Sequence, residues 1–143
     1  MRYVVDASVA LRWYIEDEAS TLAADVHRRI IEKPAEFAVP ELFAYEVFSV
    51  LFRVHPKAWK TYEEGILPVL RCGMLRYPMT DAVARRAARF VESGLTGYDA
   101  VYAAVAEELG AVWLTFDAKA HARILGEGLS ADLGAGLPPG WGD

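Results

Sequence analysis

Asp6 closes the apolar run Tyr3-Val4-Val5, and Asp117 follows the run Ala111-Val112-Trp113-Leu114-Thr115. Both runs read as short buried strands, rich in β-branched and aromatic residues. In an open parallel sheet, ligands bind outside the carboxyl ends of the strands, so two such carboxylates face one crevice. Asp99 opens a helix after the Gly-containing turn Thr96-Gly97-Tyr98. Glu46 lies inside the most apolar helical segment, with Leu42 and Phe43 one turn before it and Ser49 and Val50 one turn after. A lone carboxylate in such a stripe is costly unless it is paired or bound to metal. Converging carboxylates suit hard cations such as Mg²⁺ or Mn²⁺, which take oxygen ligands.

Each residue also has a simpler explanation. Asp6 and Asp117 can be N-caps of the helices that follow them, and Asp99, three residues past Thr96, fits a capping box. Glu46 can pair with Arg53 on the same helix or lie on a narrow exposed strip, and Ser8 and Thr115 can be ordinary helix-start and strand residues. Capping alone gives no reason for a carboxylate on a separate apolar helix, which favours a joint site.

The elements that must position these residues alternate. Besides the two strands above, Phe37-Ala38-Val39 and Leu75-Arg76-Tyr77 read as short strands. Helices are expected from Ser8 to Tyr14, Glu18 to Lys33, Glu41 to Val54 (opened by Pro40), and Ala58 to Leu70, the last disturbed by Gly65 and Pro68. Further helices follow from Asp81 to Glu92, from Thr96 to Leu109 and from Ala118 to Leu125. Strands alternating with helices argue for an α/β domain with a central parallel sheet covered on both faces. Residues 126–143 hold six of the eleven glycines and read as a loose tail in which only Leu129 to Leu133 docks. The segment from Glu41 to Val54 is apolar nearly all round, which calls for burial on several sides or a dimer interface.

Composition narrows the classes. A chain of 143 residues with 54% hydrophobic and 24% charged residues is too apolar for intrinsic disorder and fits one compact domain. The single cysteine, Cys72, excludes an internal disulfide framework and a thiolate zinc site, and His27, His55 and His121 lack metal-ligand spacing. The opening residues do not read as a signal peptide, and no apolar run is long enough to span a membrane, so a cytoplasmic setting is expected. A net charge of −5 disfavours simple electrostatic attraction to nucleic acid; such a partner requires local basic groups or bound metal. Lys119, His121 and Arg123, just beyond Asp117, are candidates for contacting RNA phosphates, with a solvated helix face as the alternative.

Taken together, strand-Asp6-Ala7-Ser8, Pro40-Glu41-Leu42 with Glu46, Leu95-Thr96-Gly97-Tyr98-Asp99-Ala100, and Leu114-Thr115-Phe116-Asp117 resemble the PIN domain family, and within it the VapC-type toxin ribonucleases. The resemblance runs from about residue 1 to about residue 125, and the stretch from Asp99 to Asp117 is its most specific part. It implies a three-layer α/β/α fold, with residues 1–125 as the nuclease domain and 126–143 as its tail. It also implies a metal-dependent endoribonuclease of a type II toxin-antitoxin pair that leaves 3′-hydroxyl and 5′-phosphate ends. The acidic metal-site residues then fall on Asp6, Glu46, Asp99 and Asp117, with Ser8 and Thr115 as accompanying hydroxyls, Mg²⁺ or Mn²⁺ as cofactor, and RNA, a cognate antitoxin and a second copy of the chain as partners. Members often carry Asn three residues after the helix Glu, where this chain has Ser49.

Other classes fit less well. A receiver domain needs an acidic pair after its first strand, but Ala7 follows Asp6; an Asp-nucleophile phosphatase needs DxD, but Ser8 stands in place of the second Asp. No phosphate-loop motif and no local Ser/His/Asp set is present. A noncatalytic PIN-like interaction module and a PIN-type nuclease outside toxin-antitoxin systems are the remaining alternatives. Four retained acids argue against the first, because a binding module gains nothing from carboxylates that repel one another.

Overall fold

The computed structural model describes residues 2–15 and 19–142. Five strands form one wholly parallel sheet in the order β3-β2-β1-β4-β5: β1 Tyr3–Val5, β2 Phe37–Pro40, β3 Leu75–Tyr77, β4 Val112–Thr115 and β5 Ser130–Asp132. The helices are α1 Ala7–Leu11, α2 Thr21–Glu32, α3 Leu42–Val54, α4 Ala58–Thr61, α5 Leu67–Leu70, α6 Asp81–Glu92, α7 Gly97–Leu109 and α8 Ala118–Arg123. They cover both faces of the sheet in the three-layer α/β/α arrangement expected from the sequence. α7 lies across β1, β2 and β4 and packs on α6, while α1 contacts α2 and α3.

Burial accounts for the order. Tyr3, Val4 and Val5 in β1 and Trp113, Leu114 and Thr115 in β4 are all buried, as strands covered on both faces must be. α2 buries Ala23, Val26 and Ile30 on one stripe and is capped by Ser20, whose hydroxyl accepts from the Ala23 N–H. The expected start of α2 at Glu18 lies outside the described residues. Pro40 ends β2 rather than opening α3; beyond it the Glu41 N–H donates to the Tyr77 carbonyl.

The segment from Ala58 to Leu70 is three pieces, with a π-helical turn over Tyr62–Ile66 between α4 and α5. Tyr14 explains the interruption: its hydroxyl donates to the Gly65 carbonyl at 2.8 Å, and a Cβ at position 65 would lie 2.5 Å from its ring. Only a glycine admits that approach.

The C-terminal stretch departs from expectation. It contributes the edge strand β5, whose Ser130, Ala131 and Asp132 stand opposite Trp113, Leu114 and Thr115, and Leu133 behind it is fully buried. Docking also continues past Leu133: the Trp141 ring sits 5.1 Å from Tyr3 and 6.2 Å from Phe37, with Arg29 4.8 Å above it. Arg2 donates to the Gly140 carbonyl at 2.7 Å. A Ser-Ala-Asp strand has weak intrinsic β-preference, so its state is set by the neighbouring strand rather than by its own residues.

Trp141→Ala is therefore expected to cost about 2 kcal/mol, reflecting a half-buried aromatic packed on two others. Urea unfolding measures this, and a loss below about 0.5 kcal/mol, the range of an ordinary surface change, would mean that the end of the chain contributes nothing to the fold.

Candidate active site

The strand order reverses between β1 and β4: the chain leaves β1 to build β2 and β3 on one side and returns to build β4 and β5 on the other. Such a switch point opens a crevice at the carboxyl ends of the two central strands. Asp6 and Asp117 stand at that end, after β1 and β4.

Asp6 is 7% exposed and held by three donors. The Ser8 N–H (3.1 Å) and the Thr115 hydroxyl (3.3 Å) donate to Oδ2, and the Trp113 indole N–H (3.3 Å) donates to Oδ1. Its own N–H donates to the Leu114 carbonyl. Burial outweighs these bonds and pushes its pKa from 3.8 to about 6, with the charge of Asp99 adding to the rise.

Ser8 and Thr115 tie the two strand ends together. Thr115 Oγ1 accepts from the Asp117 N–H at 3.0 Å while donating to Asp6, and Ser8 Oγ accepts from the Phe116 N–H at 3.2 Å. Asp117 Oδ1 accepts from the Lys119 and Ala120 N–H groups and caps α8, and Asp6 caps α1 in the same way. Capping and membership of the crevice therefore coexist.

Glu46 reaches the crevice from α3. Burial drives its pKa from 4.5 to about 7; Asp6 and Asp99 raise it further, and the nearby Tyr102 hydroxyl opposes the shift. Glu46 Oε1 and the Tyr102 hydroxyl are both buried, and neither has a partner within hydrogen-bond geometry. The Tyr102 pKa is raised well above its ordinary value by burial, then by the charges of Asp6 and Glu46. Among the described residues no ion pair joins Glu46 to Arg53. Asp99 sits in the first turn of α7, where Thr96 Oγ1 accepts its N–H at 3.2 Å. Burial raises the Asp99 pKa, the Thr96 side chain lowers it, and Asp117 raises it.

The four acids thus influence one another across the crevice, although among the described residues no three His, Cys, Asp or Glu side chains form a ready metal-holding group. An all-oxygen donor set with an unpartnered buried carboxylate oxygen, in which burial and neighbouring acids raise the pKa values of Asp6, Glu46 and Asp99, fits a hard divalent cation better than any softer metal.

The three basic candidates differ in their surroundings. Lys119 is exposed at the start of α8, and Arg123 is exposed but turned over Gly94. His121 is half-buried, with Nδ1 2.7 Å from Ser130 Oγ on β5. Three functional neighbours escaped the sequence reading: Trp113, Tyr102 and Arg12. Tyr102 is one turn beyond Asp99 on α7, a spacing that was visible. Trp113 stacks on Tyr102 at 6.1 Å, and a buried indole needs a hydrogen-bond acceptor. Arg12 lies 4.1 Å over the Phe116 ring and donates to the Ser8 carbonyl, which places a cation at the rim.

A parallel sheet with this strand order and acids from β1, α3, α7 and the end of β4 defines the class: the chain belongs to the PIN domain family, which matches residues 3–124. Ribonuclease VapC3 of Pyrobaculum aerophilum is 29% identical over 133 residues, covering 82% of this chain and 90% of that protein. The crystal structure of PAE2754 from Pyrobaculum aerophilum superposes with a TM-score of 0.64 at 29% identity, covering 86% of this chain and 79% of the other. A toxin-antitoxin complex from Klebsiella pneumoniae shares the fold at 18% identity and a TM-score of 0.65, covering 90% and 95% of the two chains.

Because Asp6 and Glu46 hold protons more tightly folded than unfolded, their contribution to stability is fully present below about pH 4 and is lost as the pH rises through about 6 to 7, and the raised pKa of Asp99 adds a contribution of the same sign. The Asp6 shift alone corresponds to about 3 kcal/mol. Thermal midpoints in EDTA between pH 5 and 8 are expected to carry this downward contribution in the wild type and to lose much of it in Asp6→Asn. Parallel curves for the two proteins would contradict the assignment.

Proposed function

We propose that this protein is a metal-dependent endoribonuclease, the toxin component of a type II toxin-antitoxin pair, acting in the cytoplasm. The observation that supports the reading most is Glu46 Oε1, buried and unpartnered on α3, with the charges of Asp6 and Asp99 raising the Glu46 pKa and that of Asp117 raising the Asp99 pKa near the switch point. Its relative's name, Ribonuclease VapC3, supports the same chemistry. These four residues would hold Mg²⁺ or Mn²⁺, which supplies an activated water and charge stabilisation for in-line attack on a backbone phosphate. Trp113, Thr115 and the Ser8 N–H keep the Asp6 carboxylate fixed in orientation, and Thr115 locks Asp117 to it. The nearby Tyr102 hydroxyl favours the charged form of Glu46. Four neutralised carboxylates would also remove most of the mismatch between a net charge of −5 and an anionic substrate.

An antitoxin partner follows from the VapC resemblance. A homodimer is proposed from α3, where Phe48 (41% exposed) and Phe52 (50%) stack at 4.4 Å, and from α4, where Trp59 is also exposed. Light scattering is expected to give twice the chain mass of 15.8 kDa, and Phe48→Asp should return it to the single-chain value; a monomeric wild type would remove the dimer.

Cleavage of RNA is expected in Mg²⁺ or Mn²⁺, to stop in EDTA, and to fall on the order of 100-fold or more in Asp6→Asn. Unchanged cleavage in chelator, with contaminating nuclease excluded, would refute the metal mechanism.

A further inference from the structure

Helix α3 has three faces with different fates. Phe43, Val47 and Leu51 enter the core, while Phe48 and Phe52 form the apolar ridge described above. The third face, carrying Glu46, Ser49 and Arg53 at successive turns, lines an open groove of about 390 Å³ whose far wall is Tyr98, next to Asp99 in the first turn of α7. Tyr45 flanks it, and Leu42 and Val50 supply apolar lining.

Three features of this groove point to one kind of occupant. Tyr98 and Tyr45 leave 62% and 71% of their surface open, although aromatic side chains of this size normally bury most of it. Arg53 is a cation with no ion-pair partner among the described residues, in a region otherwise dominated by acids. Glu46 belongs both to the groove and to the carboxylate crevice, so whatever fills the groove is continuous with whatever occupies the site.

We propose that the groove is a nucleotide subsite: it takes one unpaired base of a single-stranded RNA, adjacent to the scissile phosphate, stacked on Tyr98 with Arg53 on the neighbouring phosphate. The proposal rests on the ribonuclease reading and adds to it the residues that hold the substrate beside the cleaved bond, Tyr98 for the base and Arg53 for the phosphate. Aromatic stacking accepts any base because every base has a π-face, but it requires that the base be out of a duplex. Ser49, with a small side chain, is among the residues that line the groove. Binding and orientation are the roles assigned here; no proton or bond is handled by these residues.

The test compares wild type, Tyr98→Ala, Tyr98→Phe and Arg53→Gln on a labelled single-stranded RNA, on the same strand with one abasic nucleotide beside the cleaved bond, and on its duplex. Tyr98→Ala is expected to raise KM about 5- to 100-fold with kcat within about twofold, and Tyr98→Phe to behave as wild type. The abasic strand should impose the same penalty on wild type and no further penalty on Tyr98→Ala. Arg53→Gln should lower the dependence of log affinity on log salt by about 0.7. Wild-type and Tyr98→Ala proteins that cleave the single strand equally would overturn the subsite while leaving the ribonuclease reading intact. If the wild type cleaves no RNA, the ribonuclease reading falls. Anisotropy of the same RNA in Ca²⁺ and in EDTA then tests the groove alone, and equal Kd values for the two proteins overturn it. Variants that change the oligomeric mass instead of RNA affinity would assign the groove to a second copy of the chain and overturn the proposal.

Discussion

The arrangement depends on a carboxylate buried at the end of the central strand. Asp6 is almost inaccessible yet ionisable, and burying a charge without compensation is prohibitively costly. The structure answers with three hydrogen bonds, from the Trp113 indole, the Thr115 hydroxyl and the Ser8 amide, drawn from β4 and from the start of α1. Those bonds do not restore an ordinary acidity, so Asp6 remains a group that gains from a nearby cation. Much of the local structure follows from satisfying it: the register that sets Val4 opposite Trp113 and Val5 opposite Leu114, the stacking of Trp113 on Tyr102, and the capping of α1 and α8 by acids that also face the crevice.

Helix α3 carries a second conflict, between packing and chemistry. Its core face is closed by Phe43, Val47 and Leu51, and the Tyr62 hydroxyl donates to its Ala44 carbonyl from the π-helical turn. Against this anchored face, burial, with the charges of Asp6 and Asp99 adding to it, lifts the Glu46 pKa to about 7. A sequence optimised only for stability would place an apolar residue there. Retaining an acid beside two others is the kind of local inconsistency that marks a site where function outweighs folding.

The legibility of this site in the sequence has a physical pattern. Asp6 and Asp117 were visible because buried parallel strands are short continuous apolar runs whose ends are sharply marked. Asp99 was visible through the Thr96 cap, and Glu46 through its contrast with the helix around it. The roles of Trp113, Tyr102 and Arg12 were not visible, because they depend on which strand lies beside β1 and on which helix crosses it. That is long-range information: Trp113 and Asp6 are brought together only by the pairing of β1 with β4. The edge strand β5 was missed for a related reason, since three residues of weak β-preference become a strand only because β4 offers them a partner. The resemblance to the PIN domain family supplied the grouping of the acids, but the hydroxyl staple of Ser8 and Thr115 and the groove beside Tyr98 are visible only in three dimensions.

The central claim is that Asp6, Glu46, Asp99 and Asp117 form one cation site. Anomalous scattering from crystals of the full chain grown with Mn²⁺ tests it most directly. The account predicts a manganese peak in the crevice between the ends of β1 and β4, in contact with carboxylate oxygens from both Asp6 and Glu46, and absent in Asp6→Asn crystals. Manganese bound only elsewhere on the surface, or a crevice peak that persists unchanged in Asp6→Asn, would contradict it.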